Sequence, residues 1–192
     1  MPAEIPEARI LEAVRDVIFE HGYARATTKQ IALAAGIGEA TLFRRFGTKE
    51  TLLLEALKVE SAQFTREGVA YTGDVQADLE RIVRTYNRLL KQQGLLMLEL
   101  LVELPRRPEL REIVQPPWDA MSSVTTILGH YQKEGKLRGN APWEAALTLL
   151  GPIVLVTALK TLAPLLSASI EPKEHVKQFL EGWECKEEEG KV

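Results

Sequence analysis

Cationic and small polar side chains are concentrated in one short stretch near the N-terminus of this 192-residue chain. From Arg25 to Lys49 there are five cations and one acid, a net charge of +4, whereas the whole chain carries −3. A local excess of positive charge on an acidic protein indicates a surface that binds a polyanion. Arginines that follow small side chains suit the major groove of duplex DNA, where they reach base edges or phosphates. The candidates are Lys29, Glu39, Ala40, Thr41, Arg44, Arg45 and Lys49.

Two short helices are predicted to carry these side chains. Thr27 and Gln30 form a capping-box pattern, which predicts that a helix begins there. Gly36 suits the left-handed conformation that ends such a helix, and Glu39 then begins the second one after a tight turn. Residues 27–46 are therefore predicted to be a helix-turn-helix motif. Its inward side chains are Ile31, Ala32, Ala35, Ile37, Leu42 and Phe46.

Helices are also predicted on both sides of the motif. Glu7 to Glu20 has an apolar stripe at helical spacing, and Gly22 suits its end. A longer helix is predicted from Lys49 to about Thr65. Residues 1–48 thus form a predicted three-helix domain, and the long helix joins it to residues 49–192 without a flexible linker.

The motif resembles the TetR family of transcriptional regulators over residues 7–56. The matching residues, in order, are Thr27-Thr28, Ile31-Ala32, Ala35-Gly36, Thr41-Leu42, Phe46 and Thr48-Lys49-Glu50. The resemblance implies that Thr28 and Lys49 bind DNA phosphates and that Glu39, Ala40, Thr41 and Arg44 face the groove. Arg45 is a further candidate for a base or a phosphate.

Two residues depart from the family pattern. Phe43 stands where the family usually has a tyrosine whose hydroxyl contacts a phosphate, and Gly38 stands where a capping serine or threonine is common. The first change removes a phosphate contact, and the second weakens a helix cap. Both positions remain part of the predicted DNA-binding surface.

The remaining residues, 49–192, are predicted to form a helical effector-binding and dimerisation domain. Helices are expected at about Asp74–Gln92, Leu95–Leu104 and Trp118–Lys133, with a separate turn at Glu109–Gln115. Two strongly apolar segments follow, from Pro142 to about Leu166 and from Pro172 to about Cys185. The first approaches the length of a membrane span, but Lys160, Pro152 and Pro164 interrupt it. A four-helix interface between two copies of the chain is the preferred interpretation.

The large apolar residues of the central helices are candidates for an effector pocket, although each is also a candidate for the core. A mostly apolar pocket suits a hydrophobic or amphiphilic effector. The candidates are Phe64, Tyr86, Met97, Leu100, Trp118, Met121, Tyr131 and Leu155.

The sequence lacks the patterns that enzymes use. His21, His130 and His175 are scattered without metal-ligand spacing, and no nucleophile elbow or dinucleotide loop occurs. No metal or cofactor is expected. The single cysteine, Cys185, excludes an intrachain disulfide and fits a reducing cytoplasm. The N-terminal residues show no secretion signal.

The sequence thus predicts an all-α fold with an N-terminal helix-turn-helix DNA-binding domain and a C-terminal ligand-binding and dimerisation domain. The predicted function is a cytoplasmic, homodimeric repressor that leaves a palindromic double-stranded DNA operator when a small effector binds. One alternative is a helical small-molecule-binding protein with a degenerate DNA-binding motif. Another is a membrane-associated protein, which would need detergent for solubility.

Overall fold

The computed structural model describes residues 5–93, 96–163 and 167–183, and the regular elements there are helices. A 3₁₀ turn at Pro108–Leu110 precedes the seventh α-helix. The predicted all-α fold is confirmed. The α-helices are α1 Glu7–His21, α2 Thr28–Ala35, α3 Glu39–Phe46, α4 Lys49–Gly68, α5 Val75–Gln93, α6 Leu96–Glu103, α7 Arg111–Lys133, α8 Pro142–Leu162 and α9 Pro172–Trp183.

The chain is divided into two compact units. Unit 1 comprises Met1–Gln63 and Leu89–Asp119, and unit 2 comprises Phe64–Arg88 and Ala120–Val192. The motif helices therefore share a unit with α6 and with the first residues of α7. The functional division predicted at residue 48 remains a prediction.

One apolar cluster forms the core of unit 1. The stripe predicted on α1 is buried there, and α1 contacts α2, which contacts α3. Leu52, Leu53, Ala56 and Leu57 add the inward face of α4, as their spacing predicts. Burial of this continuous apolar surface holds the short motif helices, which would be marginal in isolation.

A buried carboxylate joins elements of unit 2. Asp78 on α5 is fully buried and accepts hydrogen bonds from the Thr72 backbone N–H at 2.7 Å and from the Tyr131 hydroxyl at 2.5 Å. Arg81 pairs with the same carboxylate at 2.7 Å. A buried charge is tolerated only with such partners. Asp78 thereby fixes the turn before α5 and Tyr131 of α7 with respect to each other.

Helix α7 corrects one prediction. Its sequence predicts a turn at Glu109–Gln115 and a new helix after Pro116-Pro117, but one helix runs from Arg111 to Lys133 through both prolines. An internal proline removes a backbone hydrogen bond and costs about 3 kcal/mol. Ile113 and Val114 are buried in the core of unit 1, so the packing of the helix outweighs that local cost.

Helix α8 runs from Pro142 to Leu162 and continues through Pro152. The segment Pro142–Lys160 is long and apolar enough to span a membrane, with a mean hydropathy of 1.5, and 28% of it is buried. The predicted end of α8 at about Leu166 lies outside the described residues, and so does Pro164. The predicted end of α9 at about Cys185 also lies outside them. Helices α8 and α9 are in contact, and the His175 Nε2 atom lies 2.7 Å from the Leu149 carbonyl oxygen.

Glu60 of α4 should make the stability of the protein depend on pH. Burial raises the pKa of this half-buried carboxyl to about 7, with Arg15 of α1 opposing the shift and Asp16 adding to it. A raised pKa means that the folded protein binds the proton more tightly than the unfolded chain. Stability is therefore lost as the pH rises from about 4.3, the value of an ordinary glutamate, to about 7.

The substitution Glu60→Gln removes this titration. We expect the variant to match the wild type at pH 5 and to be more stable by about 1–3 kcal/mol at pH 8. Urea unfolding at the two pH values measures the difference. Glu112→Gln, at an exposed position of α7, is the matched control and should show no such pH dependence. An equal effect of both substitutions would contradict the assignment to Glu60.

Candidate DNA-binding surface

The first motif helix, α2, begins with the predicted capping box. The Gln30 backbone N–H donates to Thr27 Oγ1 at 3.2 Å, and the Thr27 backbone N–H donates to the Gln30 side-chain oxygen at 2.9 Å. These bonds satisfy amides that would otherwise lack partners at the helix start. The first turn of α2 is therefore fixed, with Thr28 as its first helical residue.

The predicted turn between α2 and α3 is also present. Gly36 has φ +73° and ψ +31°, the left-handed conformation that glycine adopts without a Cβ penalty. The Ile37 N–H donates back to the Ala32 carbonyl at 3.0 Å, which closes the helix end. Helix α3 then begins at Glu39, as predicted.

Helix α3 has one anchoring face and one exposed face. Leu42 is completely buried in the core, while Glu39, Ala40, Phe43 and Arg44 are exposed. Thr41 is half-buried. The short side chains come first and Arg44 follows in the last turn, which is the order that a recognition helix needs in the major groove.

The two arginines of α3 differ in their surroundings. Arg44 makes no hydrogen bond or ion pair with the described residues, and it is exposed. Arg45 turns back onto the N-terminal residues, where it donates to the Ile5 carbonyl at 2.9 Å and lies 4.0 Å from the Glu7 carboxylate. Arg44 is therefore the arginine of this pair whose guanidinium is available to a base.

A hydrogen bond brings the N-termini of α2 and α3 together. The Thr28 hydroxyl donates to the Glu39 carboxylate at 2.6 Å. Exposed amides at two neighbouring helix starts attract phosphate, because each helix start carries a partial positive charge. In this structure the Glu39 carboxylate is the hydrogen-bond partner of the Thr28 hydroxyl. Lys29, in the first turn of α2, is exposed beside it.

Lys49 is more engaged than its predicted phosphate role requires. Its ammonium donates to the carbonyls of Tyr23 at 2.8 Å and Ala26 at 3.0 Å, and it lies over the Tyr23 ring at 4.4 Å from the centroid. Burial lowers the pKa of Lys49. An ammonium has three N–H donors, and these two carbonyls take two of them.

The two departures from the family pattern lie on the same surface. Phe43 is 50% exposed, and its ring offers no hydroxyl to a phosphate. Gly38 precedes α3 without a side-chain cap, and its carbonyl accepts the first hydrogen bonds of the helix from Thr41 and Leu42. The backbone geometry of the motif is thus complete without the usual capping hydroxyl.

The predicted effector residues are divided between the two units. Met97, Leu100 and Trp118 belong to unit 1, where Leu100 is completely buried and Trp118 is 46% exposed. In unit 2, Phe64 meets Tyr86 edge to face at 6.0 Å, and burial raises the pKa of Tyr86 to about 12. The other members of unit 2 are the half-buried Met121, the buried Tyr131 and the exposed Leu155.

An open cleft of about 440 Å³ lies in unit 1, between the loop that joins α1 to α2 and helix α6. None of the eight predicted effector residues lines it. No local sequence pattern predicts this cleft, because its two walls are far apart in the chain. Its lining is His21, Gly22, Tyr23, Ala24, Arg25, Leu98, Glu99, Val102 and Glu103.

Comparison with known proteins identifies the motif. The model of a family described as bacterial regulatory proteins, tetR family, matches residues 10–56. An uncharacterized HTH-type transcriptional regulator of Mycobacterium tuberculosis is 30% identical over 109 residues, covering 57% of this chain and 53% of that protein. An HTH-type transcriptional repressor of the same species is 28% identical over 127 residues, covering 64% and 66%. The chain thus spans about half the length of the first relative.

The fold has solved counterparts as well. A crystal structure of the transcriptional regulator FadR from Bacillus subtilis, in complex with stearoyl-CoA, superposes with a TM-score of 0.70 at 20% identity. The match covers 92% of this chain and 96% of FadR. At this identity the match shows the fold alone. Residues 10–56 of this chain therefore carry the N-terminal helix-turn-helix domain of the tetR family of bacterial regulatory proteins, and the chain shares its helical fold with solved members of that family.

Proposed function

We propose that this chain is a cytoplasmic transcriptional repressor that binds a palindromic operator as a homodimer and is released by a hydrophobic or amphiphilic effector. The observation that supports it best is helix α3, which buries Leu42 and exposes Ala40 and Arg44 behind a well-formed turn. The relationship to regulators, one of them named a repressor, supports the same function.

DNA recognition is divided between two sets of groups. The start of α2, with Thr28 and Lys29, is placed to bind phosphates and to fix the orientation of the motif. The exposed face of α3 then enters the major groove, where Arg44 reads a base and Glu39 can accept from a cytosine amino group. Phosphate contacts supply affinity, and the contacts of α3 supply specificity.

Dimerisation is supported by an exposed apolar stripe on α8. Trp143, Leu147, Leu155 and Leu159, with Gly151 between them, follow a four-residue spacing, so they form a continuous row that winds slowly around the helix. All four large side chains are exposed, Leu147 at 67% and Leu155 at 59%. We infer that a second copy of the chain covers this stripe. Two motifs would then lie one DNA turn apart, about 34 Å.

The effector is inferred from apolar composition and from one structural neighbour. FadR was crystallised with stearoyl-CoA, an amphiphile. The candidate lining residues of this chain are mostly aromatic or aliphatic, which suits a ligand of that class. An effector releases DNA only by its different affinity for the two states of the protein. Addition of stearoyl-CoA to the operator complex, followed by measurement of the fluorescence of the three tryptophans, among them the exposed Trp118, is a direct first test.

Selection of bound DNA from a random pool tests the proposed function. A palindromic site with half-sites one helical turn apart is expected, because two equal motifs read it. Recovery of an asymmetric site, or of no sequence at all, would contradict a dimeric operator-binding protein.

Arg44→Ala should weaken binding to the selected operator. If Arg44 reads a guanine, its loss costs about 1–3 kcal/mol and relaxes the preference at one base pair of each half-site. Gel-shift titrations with the operator and with single-base variants measure both effects.

Arg45→Ala is the matched control, because Arg45 is bonded to Ile5 and Glu7. It should leave the base preference unchanged. The assignment of Arg44 would be wrong if the two substitutions altered the preference to the same extent.

A helical small-molecule-binding protein with a degenerate motif is the second candidate. Phe43, which lacks the phosphate-binding hydroxyl, and the uncapped Gly38 favour it. Binding of stearoyl-CoA without salt-dependent DNA binding would support this function instead.

A further inference from the structure

Every polar group of Tyr23, in the loop between α1 and α2, has a partner. The residue is 1% exposed. Its backbone N–H donates to Glu99 Oε2 of α6 at 2.9 Å, and its carbonyl accepts from the Lys49 ammonium at 2.8 Å. Its hydroxyl donates to Glu50 Oε1 of α4 at 2.9 Å. One loop residue is thus bonded to two helices.

Besides Glu99, Lys49 and Glu50, a fourth side chain, Arg107, lies beside Tyr23 in the segment before α7. Arg107 donates to Glu50 Oε1 at 3.1 Å and to Glu109 at 3.0 Å, and its guanidinium lies 5.6 Å from the centre of the Tyr23 ring. We call Tyr23, Lys49, Glu50, Glu99 and Arg107 the Tyr23 cluster. All five residues belong to unit 1, and they connect the loop, α4, α6 and the segment before α7.

The protonation states of the cluster favour its hydrogen bonds. Burial, followed by the hydrogen bond to Glu50, raises the pKa of Tyr23, so its hydroxyl remains a donor. Burial raises the pKa of Glu50 as well, but hydrogen bonds from its own backbone, Tyr23 and Arg107 together lower it. Glu50 is therefore an ionised acceptor that lies between two donors. Hydrogen bonds to an ionised acceptor are stronger than hydrogen bonds between neutral groups.

The loop carries these contacts directly to the start of α2. Lys49 also binds the carbonyl of Ala26, the residue before the Thr27 cap. Gly22 has φ +76°, and a Cβ atom there would lie 3.2 Å from the Glu99 carboxylate. Only glycine suits both this conformation and this close approach. The position of α6 is therefore coupled to the loop through its backbone.

We propose that Tyr23 is a positioning residue for DNA binding, which holds the N-terminus of α2 on α4 and ties it to α6 through Glu99. A displacement of α6 then reaches Thr28 and the phosphate-binding amides through the loop, independently of the groove-facing residues of α3. This inference rests on the proposed function, because its consequence is measured as DNA affinity.

Glu99→Ala in the full-length protein tests the inference. Loss of the bond to the Tyr23 amide should speed amide hydrogen exchange in residues 22–31 about tenfold and weaken operator binding about tenfold, because a hydrogen bond to a charged group is lost. Exchange in α8 should not change. Glu99→Gln keeps an acceptor oxygen and should restore most of both properties. Glu103→Ala removes another acid of α6 and is the matched control.

A double-mutant cycle separates positioning from general destabilisation. The effect of Glu99→Ala on affinity should shrink when Thr28→Val has already removed a phosphate-binding hydroxyl, and it should add to that of Arg44→Ala. A loss that is equal in both backgrounds would overturn the positioning role. The positioning role would also be overturned if Glu99→Ala and Glu103→Ala had the same rates of hydrogen exchange and the same operator affinity.

Failure of the proposed function gives a different result. In that case the wild-type protein selects no sequence from the pool, and no variant can alter operator affinity. Exchange in residues 22–31 would still report whether Glu99 holds the loop. Operator binding by the wild type, with no effect of Glu99→Ala on exchange or affinity, overturns this inference alone.

Discussion

Replacing both Leu147 and Leu155 of α8 with glutamate should convert the dimer to a monomer and reduce operator affinity at least a hundredfold. The two side chains are 67% and 59% exposed on one face of a helix that otherwise carries few charges. In the proposed dimer they are buried against a second copy. Each substitution removes about 1.5–3 kcal/mol of apolar burial. Because both copies of the chain carry the substitutions, this loss occurs twice in each dimer.

The loss of DNA binding follows from the loss of dimerisation. Linking two motifs raises the affinity for a palindrome by a factor of about 10²–10⁴ over the affinity of one motif for a half-site. A monomeric variant retains α2 and α3, so it should keep weak, salt-dependent binding to a half-site. Analytical ultracentrifugation measures the oligomeric state, and gel shifts with full and half operators measure the affinity.

Val59→Glu is the matched control for this experiment. Val59 is 54% exposed on α4, and the control also changes an exposed apolar residue to an acid. It should leave the dimer intact. If the α8 variant remains dimeric, the stripe is not the interface. If the wild type needs detergent for solubility, the apolar segment Pro142–Lys160 serves a membrane instead.

Local sequence signals predicted the helix-turn-helix closely because its ends are fixed by near neighbours. The capping box joins Thr27 to Gln30, and Gly36 ends α2 through its own backbone conformation. The burial of Leu42 follows from the spacing of apolar residues on α3. Each of these features depends on residues within four positions of each other, so local patterns in the sequence are enough to predict them.

The surroundings of the cations could not be predicted in the same way. Arg45 and Lys49 contribute to the local charge of +4, but Arg45 binds Ile5 and Lys49 binds carbonyls of the α1–α2 loop. These partners lie 40 and 26 positions away. Charge counting locates the candidate surface, but only the fold decides which cations remain available to DNA.

Packing explains the errors in the helix boundaries. Pro116-Pro117 and Pro152 are local signals for a break, and yet α7 and α8 continue through them. In α7, the neighbouring Ile113 and Val114 are buried. A local preference of about 3 kcal/mol per proline is smaller than the apolar burial of a long helix. Such competition depends on tertiary contacts that sequence spacing does not report.

Asp78→Ala should destabilise the protein by about 3–5 kcal/mol, because it leaves buried donors without their acceptor. The carboxylate accepts from the Thr72 N–H and hydroxyl, from Tyr131 and from Arg81. Urea unfolding at pH 7 measures the loss. The hydrogen bonds lower the pKa of Asp78 although burial raises it. Its contribution is therefore lost only as the pH falls below about 3.9, the value of an ordinary aspartate.

Asp74→Ala is the matched control, because Asp74 is an exposed acid at the start of the same helix. Its carboxylate accepts from the Ala77 N–H at 3.0 Å, and the loss of such a cap costs about 1 kcal/mol. The comparison also tests whether the bond from the Tyr131 hydroxyl to Asp78 stabilises the fold, since Tyr131 was predicted to line an effector pocket but is buried. A loss for Asp78→Ala no larger than that for Asp74→Ala would show that this bond contributes little to folding.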